Sequence, residues 1–556
     1  MIDKYKVILL EYADSLIKKQ IRHNHSSVDG GFLCPACKLI HGRSIDAIYA
    51  FAICYKLSKD AKYLDAISAL LDYANNLICD DGGIYNDMQA LWRYTTVFQE
   101  IALGETYLSA KEVLPSSINK RIFSRIKLHA EWLYQNLNEK TVANINYPTS
   151  NVLALYLAGN ILHNQKYLKQ SKYLLNYVLK HITVNDLLYG ESQPHDLKTE
   201  KGGLAIDIGY NLEESLLALG KYAFYSKDTN TYKKVLKLAR GHLPFILPDG
   251  AIDNSLGCRN YKWTYYGSRT CDGLIPLFYI LGKDDKRFID AANRNFALML
   301  SCTHDGLLYG GPDYFKHKEK PCLHHTFEHI NSFAFVVDHF LNNKISVNKQ
   351  ILPSEEVFDT YIKEMDAYRL ANHKYLLSIS NYDINISYSG HLTGGSITLL
   401  YDKKNRRPIM VGSVGDYQLT EPNNMQVPLE VNSHLPGYPR IDDVVNNKYY
   451  STGYFNHAKI IKKDNEFKFT TYLTSRDGLK LKDKFNFVYK FTDQGLAITI
   501  NSQKDFVYKV PLISGQINIK KGKLLKVEDT FFLTPGFMMK QYNIASKKHQ
   551  LEVVIK

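Results

Sequence analysis

The 556-residue sequence has no run of eighteen consecutive apolar residues, so no membrane-crossing helix is expected. It has no block of five or six consecutive Lys or Arg either, although the formal net charge is +13. The positive charge is scattered through pairs such as Lys520-Lys521 and Arg406-Arg407, which read as solvated faces or turns. A phosphate-cradling GxxxxGK[ST] loop is absent, and the glycine pairs Gly202-Gly203, Gly310-Gly311 and Gly394-Gly395 lack the residues that would complete one. The expected partner is therefore an acidic oligo- or polysaccharide, with no nucleic acid and no membrane, and no oligomeric state is implied. The first twenty residues carry acidic and basic side chains among the apolar ones, which predicts an amphipathic helix and not a signal peptide. A periplasmic or secreted location is expected if a leader has been removed, and a cytoplasmic one otherwise.

Cysteine and tryptophan are both scarce. Of eight Cys, only Cys34 and Cys37 form a CxxC, and the others are scattered singly. A zinc ion there would need two more ligands; His41 is the nearest candidate and no second CxxC follows. No cofactor is expected, with a structural zinc at Cys34/Cys37 the less favoured reading. Three Trp stand against 41 Tyr, a supply of amphipathic rings suited to stacking on sugars but also the product of a biased codon composition.

What is present in quantity is helical periodicity. From residue 1 to about 345, apolar residues recur at three and four spacings in segments of about fifteen, including Ala61 to Ile78, Ser117 to Leu137, Lys166 to His181 and Thr231 to His242. Lys59-Asp60-Ala61-Lys62-Tyr63-Leu64 has a near copy in Asn164-Gln165-Lys166-Tyr167-Leu168, so a helical hairpin is repeated. Beyond residue 365 the period becomes two, as in Lys374 to Ser380, Ile384 to Tyr388, Phe467 to Leu473 and Leu496 to Asn501. These patterns predict an N-terminal (α/α) toroid of six or seven hairpins over residues 1–350 and a C-terminal antiparallel β-sandwich over 351–556.

Chemistry-bearing residues should gather in the loops around the mouth of such a toroid. Four segments are dense in polar and aromatic residues: Trp92-Arg93-Tyr94-Thr95-Thr96; Asn144 to Asn151; Tyr189 to His195 with Asp207 to Tyr210; and Asp253 to Gly273. The last packs Arg259, Lys262, Trp263 and Arg269 among three tyrosines, a composition suited to a carboxylated sugar because Arg pairs a carboxylate bidentately. The same residues could also stack on one another in a structural loop.

The chain resembles the heparinase II/III-like polysaccharide lyases over nearly its whole length. The resemblance rests on the hairpins, Asn144 to Asn151, Gly190-Glu191 followed by Tyr210, Pro248-Asp249-Gly250, and Ser389-Gly390-His391-Leu392-Thr393-Gly394-Gly395-Ser396, in that order. It implies β-elimination from a uronate: donors neutralise the carboxylate, a Tyr or His removes the C5 proton, and a Tyr protonates the leaving oxygen. By resemblance Tyr210 takes the tyrosine role, Asn146 or Asn151 the neutralising role, and His391 the histidine role. The family's metal-holding His and Asp after that histidine are replaced here by Leu-Thr-Gly-Gly-Ser, so no metal is expected there and His195 or the group His324, His325, Glu328 and His329 become alternatives. Arg93, Tyr147, Arg259, Lys262, Trp263, Arg269 and His325 complete the expected substrate contacts.

Two other readings stand beside the lyase. An exo-acting inverting glycoside hydrolase, such as a β-glucuronidase, would need two carboxyl groups about 6.5 to 9.5 Å apart. Glu191, Asp207, Glu213, Glu214, Asp253, Asp272 and Asp313 are candidates, with one of Glu213 and Glu214 expected to face the cleft and the other solvent. A non-catalytic glycan-binding toroid is the third reading.

Overall fold

A computed structural model describes residues 2–22, 26–86, 91–141, 143–199, 201–342, 348–381, 393–412, 437–454 and 458–556. Its helices are α1 (Ile2–Ile17), α2 (Ile48–Ser58), α3 (Ala61–Asn75), α4 (Thr96–Ala110), α5 (Ser116–Asn136), α6 (Asn146–Ile161) and α7 (Gln165–Val178). Then come α8 (Ile208–Tyr210), which runs through a π turn (Asn211–Ser215) into α9 (Leu216–Ser226), and α10 (Thr229–His242), α11 (Ile275–Leu281), α12 (Lys286–Ser301) and α13 (Leu323–Phe340).

Helices α2, α4, α6, α9, α11 and α13 touch in succession, and α13 returns to α2, so they form a closed inner ring. Each is backed by an outer partner: α3, α5, α7, α10, α12 and, closing the circle, α1 against α13. The described residues thus form six such pairs. The sequence encodes the two layers differently. Outer α7 buries Tyr167, Ser171, Leu174, Leu175 and Val178, a single stripe at helical spacing, whereas inner α6 is buried at nearly every position.

The turns at the two ends of the ring also differ. At three of the inner-to-outer connections the chain turns through one left-handed residue followed by an N-cap: Lys59 (φ 60°) then Asp60, His163 (φ 51°) then Asn164, Lys227 (φ 58°) then Asp228. The caps accept backbone N–H bonds from Lys62, from Lys166, and from Asn230 and Thr231 respectively. From outer to inner helix the loops are long, and four contain an Asp-Gly turn at residues 29–30, 81–82, 249–250 and 305–306. At Gly82 (φ 92°) an added Cβ would lie 2.4 Å from the Leu128 carbonyl oxygen of α5, so glycine is required by both conformation and space.

The second half is a stack of antiparallel sheets. Strands Phe358–Ile362, Ala367–Ala371, Tyr375–Ser380, Ile397–Asp402 and Arg407–Val411 form a five-stranded meander. A larger sheet, including Glu466–Thr474, Lys480–Thr492, Gly495–Ser502 and Gln550–Ile555, packs on one of its faces through Leu377, Ile379 and Leu400 against Phe467, Phe487, Ile498 and Val553. The meander's other face, with Leu376, Leu399, Tyr401 and Val411, packs on Trp263 and Tyr265 of the toroid. A layer covered on both sides has no solvent face, which is why Ile397–Asp402 is buried at five consecutive positions while Glu466–Thr474 alternates over its first six residues. The strand expected at Ile384 to Tyr388 lies outside the described residues.

Candidate active site

The outer-to-inner loops and the N-termini of the inner helices meet at one end of the ring. Six segments contribute: the stretch before α2, Trp92 before α4, the first turn of α6, the start of α8 with its π turn, the loop before α11, and the first turns of α13. Backbone N–H groups and the positive ends of the inner helices point toward this end, an environment that favours an anion.

At its centre, the Tyr210 ring carries the Arg259 guanidinium 3.8 Å from its centroid and the Lys262 ammonium at 5.8 Å. The Tyr210 hydroxyl hydrogen-bonds Thr270 Oγ1. Arg259 is held from behind by Glu191, Nη1 to Oε2 3.0 Å. Asp207 caps α8 by accepting from Tyr210 N at 2.9 Å and also accepts from Arg259 N at 2.8 Å, so one carboxylate sets the positions of both residues. Burial pushes the Tyr210 phenol well above its usual range, and Arg259 opposes that shift.

Beside this pair lies Asn146, whose Nδ2 donates to Glu214 Oε2 at 2.6 Å. Burial raises the Glu214 carboxyl to about 7, with Arg43 pulling it back down. The π turn explains why Glu213 and Glu214 both point inward, contrary to the expectation that one would face solvent. Its extra residue widens the helical turn, and the side chains are 1% and 6% exposed. Glu213 accepts from Ser268 N at 2.6 Å and lies 3.8 Å from His329 Nε2. At the rim, Trp92 Nε1 donates to Tyr147 Oη at 3.0 Å, and the two rings with Tyr94 form an aromatic edge. Trp92 is 40% exposed and is the tryptophan open to a ligand.

Sequence reasoning passed over Arg43. It donates to Asp46 at 2.8 Å, to the Thr270 carbonyl at 3.1 Å, and pairs with Glu328 of α13 at 3.0 Å. Its only signal in the sequence is Asp46 three residues on, within a stretch, Gly42 to Ala47, that the structure buries throughout.

Several expected site residues sit elsewhere or are committed to structural bonds. Trp263 was expected to cover a sugar, but it is fully buried, donates to the Ile252 carbonyl at 2.8 Å and packs under the five-stranded sheet. Arg269, expected on the substrate carboxylate, is fully buried and donates to the Leu533 carbonyl at 2.8 Å and to Tyr314 Oη at 2.9 Å, pinning the β-domain to the toroid. Asn151 lies on a face of α6 away from Glu214 and donates to the Leu137 carbonyl at 2.8 Å. His195 bonds Tyr177 Oη at 2.7 Å and the Ala143 carbonyl at 2.6 Å, lining a separate cavity of about 610 Å³ with His181, Glu139 and Lys140. His325 is fully buried against Tyr266, 3.1 Å from its hydroxyl. Arg93 Nη1 donates to both carboxylate oxygens of Asp81, at 2.8 and 3.0 Å, in a partly exposed pair. His391 lies outside the described residues. The geometry therefore assembles Tyr210, Arg259, Lys262, Glu191, Asn146 and Tyr147 with Glu213 and Glu214 behind them.

The carboxylates that a hydrolase would need are largely engaged. Glu191 holds Arg259, Asp207 also takes two bonds from Asn254 at 3.1 Å, and Asp253 is taken by Arg369, Ser255 and Ser378. An acid paired to a buried cation is poorly placed to activate water.

Comparison with known proteins agrees in extent as well as in fold. Residues 9–355 match the ulvan lyase N-terminal domain and residues 360–554 the ulvan lyase C-terminal domain. A broad-specificity ulvan lyase from Formosa agariphila is 30% identical over 602 residues, covering 99% of this chain and 92% of that protein. The chondroitin AC lyase of Streptomyces coelicolor A3 superimposes with a TM-score of 0.57 at 9% identity, covering 100% of this chain and 79% of that one, a likeness of fold. The toroid, the sandwich behind it and both domain matches lead to one conclusion: the chain belongs to the ulvan lyase family.

Proposed function

We propose that this enzyme, a β-eliminating polysaccharide lyase acting on uronic-acid glycans, takes ulvan as its substrate and uses Tyr210 as its proton-transfer group. The observation that carries the assignment of Tyr210 is the stack of Arg259 on its ring at 3.8 Å, beside the Asn146–Glu214 pair. A uronate docked over Asn146 meets an amide with a second N–H to donate, and at or below neutral pH a Glu214 carboxyl that still carries a proton. Both stabilise the charge that builds on the substrate carboxylate as the C5–H bond breaks.

Proton balance requires one group to accept from C5 and one to donate to the glycosidic oxygen, and a single tyrosine can do both in sequence. The phenolate, held by Arg259 and Lys262, takes the C5 proton. The C4–O bond breaks as the C4=C5 double bond forms, and the regenerated phenol returns the proton to the leaving oxygen. Arg259 opposes the cost that burial sets on the phenolate, and Lys262 brings a second positive charge to 5.8 Å from the ring centroid. Trp92 and Tyr147 supply the apolar face for a neighbouring sugar.

The test is incubation with ulvan, and with other uronate glycans for comparison, while ultraviolet absorbance and reducing ends are followed together. Equal growth of both signals on ulvan is the expected result. Reducing ends without absorbance would mean hydrolysis, and no reaction on ulvan with elimination on another glycan would move the substrate.

A further inference from the structure

We infer that the toroid contains a structural zinc site formed by Cys34, Cys37, His41 and Cys322. The four side chains are fully or almost fully buried, and their ligand atoms all lie within 4.8 Å of one another. His41 Nε2 is 3.5 Å from the Cys37 sulfur and 3.8 Å from the Cys322 sulfur. Tetrahedral zinc with bonds of about 2.3 Å to sulfur and 2.0–2.1 Å to nitrogen places sulfur and nitrogen about 3.6 Å apart, so the ligands already stand at the corners of such a site. Three thiols and an imidazole in this arrangement select zinc over the hard oxygen-seeking cations.

The backbone around the ligands is shaped for the purpose. Leu33 and Ile40 bridge, Cys34 N donates to the Leu39 carbonyl at 2.9 Å, and Lys38 (φ 58°) turns the chain so that Cys34 and Cys37 face the same point. Cys322 is the N-cap residue of α13, from the far end of the toroid sequence. The metal would therefore clip the loop between α1 and α2 to the last inner helix, reinforcing the closure that α1 and α13 make by packing.

The position of this clip links it to the site. Arg43 follows His41 by two residues, Glu328 lies in the second turn after Cys322, and these two side chains pair at 3.0 Å. Arg43 also holds the carbonyl of Thr270, whose hydroxyl bonds Tyr210. Zinc would act as a positioning element for that chain of contacts, without touching substrate. The effect on turnover rests on the Tyr210 reading; the metal content does not.

The experiment is metal analysis of the full-length protein purified without chelator. One zinc per chain is expected, released in step with modification of three thiols by a mercurial and detected by a metallochromic dye. Cys322→Ser should lose the zinc or bind it at least tenfold more weakly, and should melt several degrees lower. Should that variant fail to fold, cobalt substitution of the wild type decides the matter through the visible bands of tetrahedral thiolate-bound cobalt. Metal-free protein with an unchanged melting temperature, or a disulfide between any two of Cys34, Cys37 and Cys322, would overturn the proposal.

Discussion

The two ends of the toroid are built from the same six hairpins, yet they are not alike. At one end the inner helices hand over to the outer ones through short turns, three of them capped by Asp60, Asn164 and Asp228 and locally complete. At the other end the return loops are long, several carboxylates around the site are buried and the β-domain covers part of them. Burial raises the proton affinity of Glu191, Asp207, Glu213 and Glu214 there, as it does for Tyr210. The lesson is a division of labour: one end needs only to turn the chain, so it is cheap and repetitive, while the other accepts desolvated charge for the sake of chemistry.

That contrast can be broken by substitution at either end. The largest kinetic effect outside Tyr210 is expected at Asn146. Asn146→Ala removes a donor from the substrate carboxylate, and kcat should fall about 100-fold with KM little changed, as measured by initial rates of unsaturated product. A shift mainly in KM would mean that the amide binds the ground state only.

Glu214 sharpens the comparison through pH. Its carboxyl titrates near 7 in the folded protein, so the protonated donor is lost as pH rises through that value and kcat/KM should decline there. Glu214→Gln donates at every pH, and this limb should vanish from its profile. Stability follows the same sign. Because the folded state holds this proton more tightly than the unfolded chain does, the group favours folding below about 4.5 and that contribution is lost as pH rises through about 7. Glu214→Gln should therefore lose less stability than the wild type between pH 5 and pH 8 on thermal denaturation, since its amide has no proton to lose.

The smallest effect belongs to the plain end. Asp228→Ala removes a cap that accepts from two backbone N–H groups, and should cost about 1 kcal/mol in denaturant unfolding while leaving kcat and KM unchanged. A kinetic change in that variant would show that the two ends communicate.

How far the sequence discloses this arrangement depends on the distance over which each feature is specified. Helices and caps are local: the copy of Lys59 to Leu64 at Asn164 to Leu168 marks the same turn in two hairpins, and helix limits fall within a few residues of the periodicity. The Asp-Gly turns at 81–82, 249–250 and 305–306 are equally local and form a repeat that amphipathic spacing alone does not bring out. Ring closure by α1 and α13 is not local, and neither is the meeting of Cys322 with the Cys34–Cys37 turn. At the site, the family resemblance points to Tyr210 and residue type to Arg259, and the structure sets the two side by side. Trp263 and Arg269 belong to the same polar loop and have the same chemistry, but their orientation is decided by the β-domain strands that cover them. No pattern inside the loop records which of its faces is covered. Arg43 was hidden because, apart from Asp46 three residues on, its partners Glu328 and Thr270 are more than two hundred residues away along the chain.

The central claim is that Tyr210 moves the proton while its neighbours hold the substrate. It is tested most directly with the Tyr210→Phe variant, by measuring oligosaccharide binding calorimetrically and unsaturated product spectrophotometrically on the same preparation. The account expects near-normal affinity with turnover reduced by about 10³-fold or more, the scale of a lost acid–base group. Turnover near the wild-type rate with intact binding would contradict it and give the proton transfer to another residue.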